Sequence, residues 1–352
     1  MLKSFRYLLF PFSLLYGGFV LFRNWLFDKN ILRSSSFNFP IICVGNLATG
    51  GTGKTPMTEY LVEILRSQYK TATLSRGYKR KTKGFAIAND TTTAIEIGDE
   101  PMQFHQKFPD IVVAVGEERL VAIPQILHQV PETEVIILDD AFQHRSVRAG
   151  LNLLLTDYTN LYTRDFLLPC GDLRDIKASS RRAHLIIVTK CKADLSVQER
   201  DLIIEEIDPL PQQQVYFTEI VYSQPYHLFN KSLADIDPNE DILLLCGIAN
   251  PKPLMEFLTA HVQAYDMIRY ADHHIFTIDD LKDIKNQFSK LASSKKIMIT
   301  TEKDAVRLQK FKSELEDLPI YVLPIQHRFL FDEAEDFKQQ VTKFVGSFTR
   351  QS

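Results

Sequence analysis

The stretch Ile41-Ile42-Cys43-Val44-Gly45-Asn46-Leu47-Ala48-Thr49-Gly50-Gly51-Thr52-Gly53-Lys54-Thr55 constrains the fold more than any other part of the chain. An apolar run breaks into a glycine-rich turn, and residues 57–66 beyond it carry helical spacing. A strand that turns through glycines into a helix is the setting of a phosphate-binding loop. The glycines, here Gly50, Gly51 and Gly53, let backbone N–H groups converge, and the helix N-terminus adds positive potential. Lys54 would reach the β- and γ-phosphates, and Thr55 would offer its hydroxyl to Mg²⁺. The usual loop has glycine where this chain has Ala48, so the match is to a variant. The bland alternative is a strand–helix turn followed by an incidental Lys-Thr.

Such a loop needs an acidic partner at the end of a neighbouring strand, and the run 135–138 ends in Asp139 and Asp140. Taken alone, that pair reads as a helix cap. Beside the loop it reads as a metal-positioning pair.

The rest of the chain supports a parallel sheet. Apolar runs at 41–44, 71–75, 111–115, 135–138, 151–156 and 185–189 alternate with helical stretches such as 57–66 and 117–127, as in a doubly wound α/β domain. Its 352 residues allow two domains. The expected division is a phosphate-loop domain over 28–218, a hinge within 211–230, a smaller α/β lobe over 219–325, and a C-terminal segment, 326–352, whose amphipathic helix at 332–348 packs back on the first domain. Runs at 242–246 and 297–300 supply strands of the smaller lobe, followed by helical stretches at 253–258 and 305–308. A run at 320–324 is expected to pair near 215–222, so that the chain crosses the hinge twice.

A net charge of −3 gives no basic field, so nucleic acid is not expected as a partner. Cys43, Cys170, Cys191 and Cys246 form no CxxC pair and read as core residues; a nucleophilic thiol would need a positioned base.

From Tyr7 to Phe22 no charge occurs, yet Pro11 and Gly17-Gly18 interrupt a run already short of the roughly 20 residues a spanning helix needs. Lys3 and Arg6 are followed by bulky aromatics and not by a cleavage site. Two readings stand over 1–27: an interfacial anchor carrying Phe5, Tyr7, Phe10, Phe12, Tyr16, Phe19, Phe22 and Trp25, or a buried first helix.

Two classes of nucleotide switch fit poorly. The signature lysine of deviant phosphate-loop ATPases is replaced by Thr49, and the guanine-reading element departs at Thr189-Lys190-Cys191-Lys192. A kinase acting on a hydroxyl would carry a base near the γ-phosphate. Gly98-Asp99-Glu100-Pro101 offers one, although Asp99 also reads as an N-cap with Pro101 at the first helical position. In Ala271-Asp272-His273-His274 the adjacent histidines read by default as surface residues.

These motifs occur in the order found in a known family. With Ser75-Arg76-Gly77-Tyr78, Asp139-Asp140-Ala141-Phe142-Gln143-His144, Leu168-Pro169-Cys170-Gly171, Leu173-Arg174-Asp175, Gly247-Ile248 and Thr301-Glu302-Lys303-Asp304-Ala305-Val306, the chain resembles the tetraacyldisaccharide 4'-kinase family over most of its length. The resemblance implies ATP–Mg²⁺ as donor and an acylated glucosamine disaccharide phosphate, a lipid A precursor, as acceptor. It implies two lobes closing on a hinge, membrane lipids at the cytoplasmic face of the bacterial inner membrane, and no obligate protein partner. Asp99 would be the catalytic base and His273 the group orienting it. Lys54, Thr52 and Thr55 would make phosphate and metal contacts, with Asp139 and Asp140 as the second acidic motif. Asn46, Glu100, Arg119 and Gln143 would lie at the nucleotide. Ala141 stands where glycine is expected, so the turn after the aspartates is open to a different backbone angle. The basic run Arg76, Lys79, Arg80, Lys81 and Lys83 would either meet lipid phosphates or form a solvated loop. The alternative function is a partner-regulating ATPase or GTPase switch.

Overall fold

The computed structural model describes residues 6–349; Lys3 and Phe5, and the last residues of the C-terminal segment, 350–352, lie outside the described residues. The apolar runs become strands that gather into two sheets. β1 (Ile41–Asn46), β2 (Thr71–Ser75), β3 (Ala86–Ile87), β4 (Val112–Val115), β5 (Val135–Asp139), β6 (Leu151–Asp157), β7 (Leu185–Thr189) and β8 (Gln214–Tyr222) build the first. β9 (Tyr226–His227), β10 (Asp241–Cys246), β11 (Tyr265–Arg269), β12 (Lys296–Thr301) and β13 (Ile320–Leu323) build the second, and β14 (Ile325–Phe329) returns to the first. The orders are β14-β8-β7-β6-β1-β5-β2-β4-β3 and β11-β10-β12-β13-β9. Only the edge pairs β3–β4, β14–β8 and β13–β9 are antiparallel.

The parallel strands β1, β2, β4, β5 and β7 are buried at every residue. That explains their unbroken apolar sequence, because helices cover both faces of the sheet. β1 pairs with β5 on one side and β6 on the other, and the chain winds outward from it in both directions. The crevice beyond its carboxyl end is therefore the place where such sheets bind ligands.

The expected pairing of 320–324 with 215–222 is corrected. Pro324 has no N–H to continue a ladder, so it divides the run into two strands. β13 stays in the second sheet beside β12, and β14 pairs with β8, from Ile325 opposite Tyr222 to Phe329 opposite Thr218. The chain does cross between the sheets twice, at Ser223 and Pro324, where Ser223 N donates to Pro324 O at 2.9 Å. β3, β9, β11 and β14 were not among the expected strands.

The helices that bear on function are α1 (Phe10–Asp28), α2 (Lys54–Leu65), α3 (Asp99–Lys107), α4 (Arg119–Gln129), α5 (Glu302–Leu308) and α6 (Ala334–Thr349). α6 seats Phe337, Val341 and Val345 in the core beneath the first sheet, with Phe329 and Tyr216 against Phe337. Fully burying side chains of this kind stabilises the fold by roughly 1.5–3 kcal/mol each.

α1 combines a buried stripe with an open apolar face. Its buried residues are Ser13, Gly17, Val20 and Asn24, one stripe at helical spacing. Ser13 Oγ donates to Leu167 O at 2.9 Å and accepts from Cys170 N at 2.9 Å, while Asn24 Nδ2 donates to Asp175 Oδ1 at 2.9 Å. At Gly17 an added Cβ would stand 2.8 Å from Leu167 Cδ1, so glycine permits the close approach. The opposite face is apolar and open, with Phe12, Leu15, Phe19 and Phe22 between 59% and 73% exposed. The helix is thus packed on the protein through its polar side. Among the described residues no helix is long and apolar enough to cross a membrane.

Candidate active site

The glycine turn after β1 is braced from within and from outside. Gly50 and Gly53 adopt φ of 105° and 84°, in the left-handed region that favours glycine, and Gly53 caps α2. Asn46 Nδ2 donates to Thr52 Oγ1 at 2.9 Å, and Thr189 Oγ1 donates to Thr52 O at 2.9 Å. From the other side Thr49 N donates to Asp172 O and Arg174 N to Leu47 O. Lys54 and Thr55 open α2, both half-buried.

β5 delivers Asp139 and Asp140 beside this loop. Neither caps a helix, because a turn follows, with Asp140 at φ 48°. Ala141 is not among the positive-φ residues, so the absent glycine is not required there. Asp140 faces Lys54, whose Nζ is 3.9 Å away, and pairs with Arg174; burial opposes its charge, but these cations hold its carboxyl below the usual range. Asp139 is 2% exposed and accepts from Thr58 Oγ1 at 3.2 Å. Burial, then Glu100 and Asp140, push its pKa up to about 7. An acidic cluster strained in this way is one that a hard cation would relieve.

Across the crevice, α3 begins with Asp99. The expected cap is corrected: Gly98, at φ 95°, takes the N-cap, so Asp99 is the first helical residue and Pro101 the third. Freed from capping, the Asp99 carboxylate points to the second unit, where Oδ2 lies 3.0 Å from His273 Nδ1 and 2.7 Å from Arg307 Nη2. Burial opposes the charge of Asp99, but Arg307 and then His273 hold its pKa below the carboxylate norm. His273 is thus no surface residue; it sits at φ 61° with its ring centroid 6.1 Å from that of Tyr78. The pair's second member, His274, donates from Nε2 to Asp280 Oδ2 at 3.1 Å and stacks on Tyr270. Two further contacts join the units: Lys303 Nζ lies 3.4 Å from Glu100 Oε1, and Lys107 Nζ lies 2.7 Å from Glu302 Oε1.

A chain with this glycine turn, this acid pair and a half-buried Asp99 held from the second unit is similar to known proteins. The tetraacyldisaccharide-1-P 4'-kinase family profile matches residues 5–346. The tetraacyldisaccharide 4'-kinase of Phocaeicola vulgatus is 45% identical over 98% of this chain and 96% of its own length. That of Flavobacterium johnsoniae is 47% identical over 93% and 95%. The chain belongs to the tetraacyldisaccharide 4'-kinase family. The crystal structure of LpxK from Aquifex aeolicus in complex with ATP superposes with a TM-score of 0.77, at 27% identity over 98% of this chain and 100% of that one.

In this tetraacyldisaccharide 4'-kinase family member Asn46, Thr52, Lys54, Asp139, Asp140 and Gln143 are linked around the glycine turn, and Asp99 and His273 meet at the seam between the units. Gln143 Nε2 donates to Asn46 O at 2.7 Å, tying the acidic turn to the end of β1. Thr52 is buried, its hydroxyl engaged by Asn46, so it braces the loop from inside, and Thr55 is the more open of the two threonines. Arg119 is not open to the crevice at all. It is 1% exposed at the start of α4, its Nη1 on Gly116 O, and its Nε and Nη2 have no partner among the described residues. Burial, then Arg76, lower its pKa to about 10 despite Asp139. In the basic run Arg80 is committed inward, its Nη2 2.6 Å from Glu117, whereas Arg76, Lys79, Lys81 and Lys83 are exposed. All four cysteines are free and buried; burial pushes Cys43 and Cys191 up to about 12 and Cys246 up to about 11, so none of these three is a ready thiolate.

Two residues escaped the sequence reading. Arg307 follows directly on the matched motif 301–306 and carries no expected role. His327, 3% exposed on β14, bonds Gly53 O through Nε2 at 2.9 Å and Thr218 Oγ1 through Nδ1 at 2.9 Å. It ties the returning strand to the phosphate loop. A buried imidazole between two polar runs leaves no periodic signal by which to find it.

Proposed function

We propose that the chain transfers the γ-phosphoryl group of ATP to the 4'-hydroxyl of a tetraacylated glucosamine disaccharide 1-phosphate, a step of lipid A synthesis. The observation that carries the reading is the meeting of Asp99 with His273 and Arg307 of the other unit, while the next residue, Glu100, lies close enough to raise Asp139 beside the Lys54–Asp140 pair. Phosphoryl transfer asks a protein chiefly for position and charge stabilisation. Lys54 and the α2 N-terminus would hold the phosphates, with Gly50, Gly51 and Gly53 shaping the loop. Asp99 would accept the acceptor hydroxyl's proton, and His273 would orient it. Thr55, Asp139 and Asp140 fit Mg²⁺ as hard oxygen donors, Asp139 being the one that burial and its acidic neighbours raise, and Mg²⁺ when bound with ATP would spread the developing phosphate charge. Glu100, beside Asp139, belongs to the same charge balance. Rotation about the two crossings at Ser223 and Pro324 would open and close the crevice.

The switch reading has no support from the relatives. The deciding assay is transfer of labelled γ-phosphate from Mg-ATP to the tetraacylated disaccharide 1-phosphate in detergent micelles. Lipid-dependent transfer is expected; hydrolysis of ATP at the same rate with and without lipid, and no labelled lipid, would revive the switch.

α1 supports a place at the membrane, at the cytoplasmic face where ATP is available. Its polar stripe is spent on the protein, so Phe12, Leu15, Phe19 and Phe22 face outward, as an interfacial helix requires. Exchanging Leu15 and Phe19 for Ser is expected to lower sedimentation with anionic vesicles by about tenfold or more while the melting temperature stays within a few degrees. Unchanged sedimentation would count against this face as the anchor.

A further inference from the structure

Two of the three hydrogen bonds that hold Asp99 across the crevice come from Arg307, which stands outside the roles assigned so far. Its Nη2 and Nε lie 2.7 and 3.1 Å from Asp99 Oδ2. The side chain is 7% exposed and is fixed on its own unit, with Nη1 3.2 Å from Asp304 Oδ1. Asp304 is itself held by Gly247 N at 2.9 Å and the Thr301 hydroxyl at 2.7 Å. Gly247 is required for this approach, since an added Cβ would stand 2.8 Å from Asp304 Oδ1. A planar guanidinium clamped in this way presents its free edge in a defined direction, which a lysine ammonium would not do.

The imidazole completes the geometry. His273 Nδ1 lies 3.0 Å from Asp99 Oδ2 and 3.1 Å from Arg307 Nη2. An unprotonated Nδ1 would set its lone pair against the carboxylate, whereas an Nδ1 proton donates to it. With the proton on Nδ1 the ring donates to Oδ2, and its 3.1 Å approach to Arg307 Nη2 is then a packing contact and not a hydrogen bond. Both neighbours then converge on Oδ2, and neither touches Oδ1.

We infer that Arg307 is a positioning residue for phosphoryl transfer: together with His273 it locks Oδ2 of Asp99, presents Oδ1 to the acceptor hydroxyl, and does so only when the two units meet. This rests on the kinase reading above. The neighbouring contacts agree with it, because α3 and α5 run antiparallel and Glu100–Lys303 and Lys107–Glu302 extend the same seam. The other charged groups near Asp99 are Asp304 behind Arg307, Asp272 with Oδ2 3.8 Å from His273 Nε2, and the Glu100–Lys303 pair, with the Tyr78 ring against His273.

The test uses the full chain in the micelle assay with Arg307→Met, Arg307→Ala and Arg307→Lys. In Arg307→Met, kcat is expected to fall by about 10- to 100-fold while KM for ATP changes less than about twofold, since the phosphate loop is untouched. The acid limb of the kcat–pH profile should move to higher pH, because Asp99 loses the cation that keeps it ionised. Arg307→Ala should regain part of its activity when guanidinium ion is added, and Arg307→Lys should keep the acid limb near the parent's with a smaller loss. Parental kcat in Arg307→Met would overturn the inference. So would a fall in kcat with an unmoved acid limb and no guanidinium rescue, the behaviour of a merely structural pair. If Arg307→Met fails to fold, Arg307→Ala decides by the same two readouts, the position of the acid limb and rescue by guanidinium ion. The parent run alongside separates the failures: transfer by the parent with indifferent variants sinks only the role of Arg307, and no transfer by the parent sinks both.

Discussion

In Asp99→Asn, kcat for transfer falls by about 10²- to 10⁴-fold, the usual contribution of a positioned general base, and KM for ATP stays close to the parent value. Asparagine keeps the size of the side chain and can still accept from Arg307, so the contact between the units survives while the proton acceptor is lost. The split between kcat and KM is what the geometry demands, because Asp99 meets the second unit at Oδ2 and among the described residues bonds no group of the nucleotide loop. Since Arg307 and His273 hold Asp99 below the ordinary carboxylate range, it is ionised throughout neutral pH in the parent, and transfer should lose rate only well into acid. Steady-state transfer in micelles over a pH series measures both effects. An asparagine variant within tenfold of the parent would remove Asp99 from the base role.

Lys54→Met acts on the other partner of the reaction. The ammonium is the cation that α2 carries beside Asp140, and a single preorganised donor of this kind is worth about 10²–10³ in rate. Here KM for ATP should rise as well as kcat fall, because phosphate binding and charge stabilisation use the same group. The fold should tolerate the change, since Arg174 still pairs with Asp140 and Asn46 still braces Thr52. Titration with a fluorescent ATP analogue, read beside the transfer rate and a melting curve, checks all three statements. Unaltered nucleotide affinity and rate would mean that the loop binds something else.

The phosphate loop was legible because two independent signals coincide in it: a strand buried on both faces must be apolar throughout, and the turn after it needs left-handed residues that glycine supplies. The same holds for β5, whose apolar run could end in two acids only at a sheet edge. Other parts were hidden for physical reasons. β14 alternates correctly, with His327 and Phe329 buried, but its inward residue is a polar imidazole and the pattern reads as noise. Asp99 was expected as a cap because an acid before proline usually is one; Gly98 takes that duty, and only the backbone angle reveals it. His273 was reached through family resemblance and not through spacing. Arg307 could not be found from sequence, since one arginine in a short helix has no period, and its meaning depends on a carboxylate 208 residues away. α1 was readable as apolar, but not which face would be spent on the protein.

The pairing of β14 with β8 has a consequence for how the molecule is made. Residues 223–324 leave and rejoin the first sheet between neighbouring strands, so the second unit is an insert in a sheet already eight strands along. The residues that complete the first core, Phe329, Phe337, Val341 and Val345, are encoded after the insert. On the ribosome they emerge roughly 5–20 s after β8 at typical elongation rates. The second unit, with its own core, is complete and free to fold in that interval. The nucleotide-binding unit, begun first, is the last to close, and a nascent chain stalled within the insert presents an open sheet edge at β8.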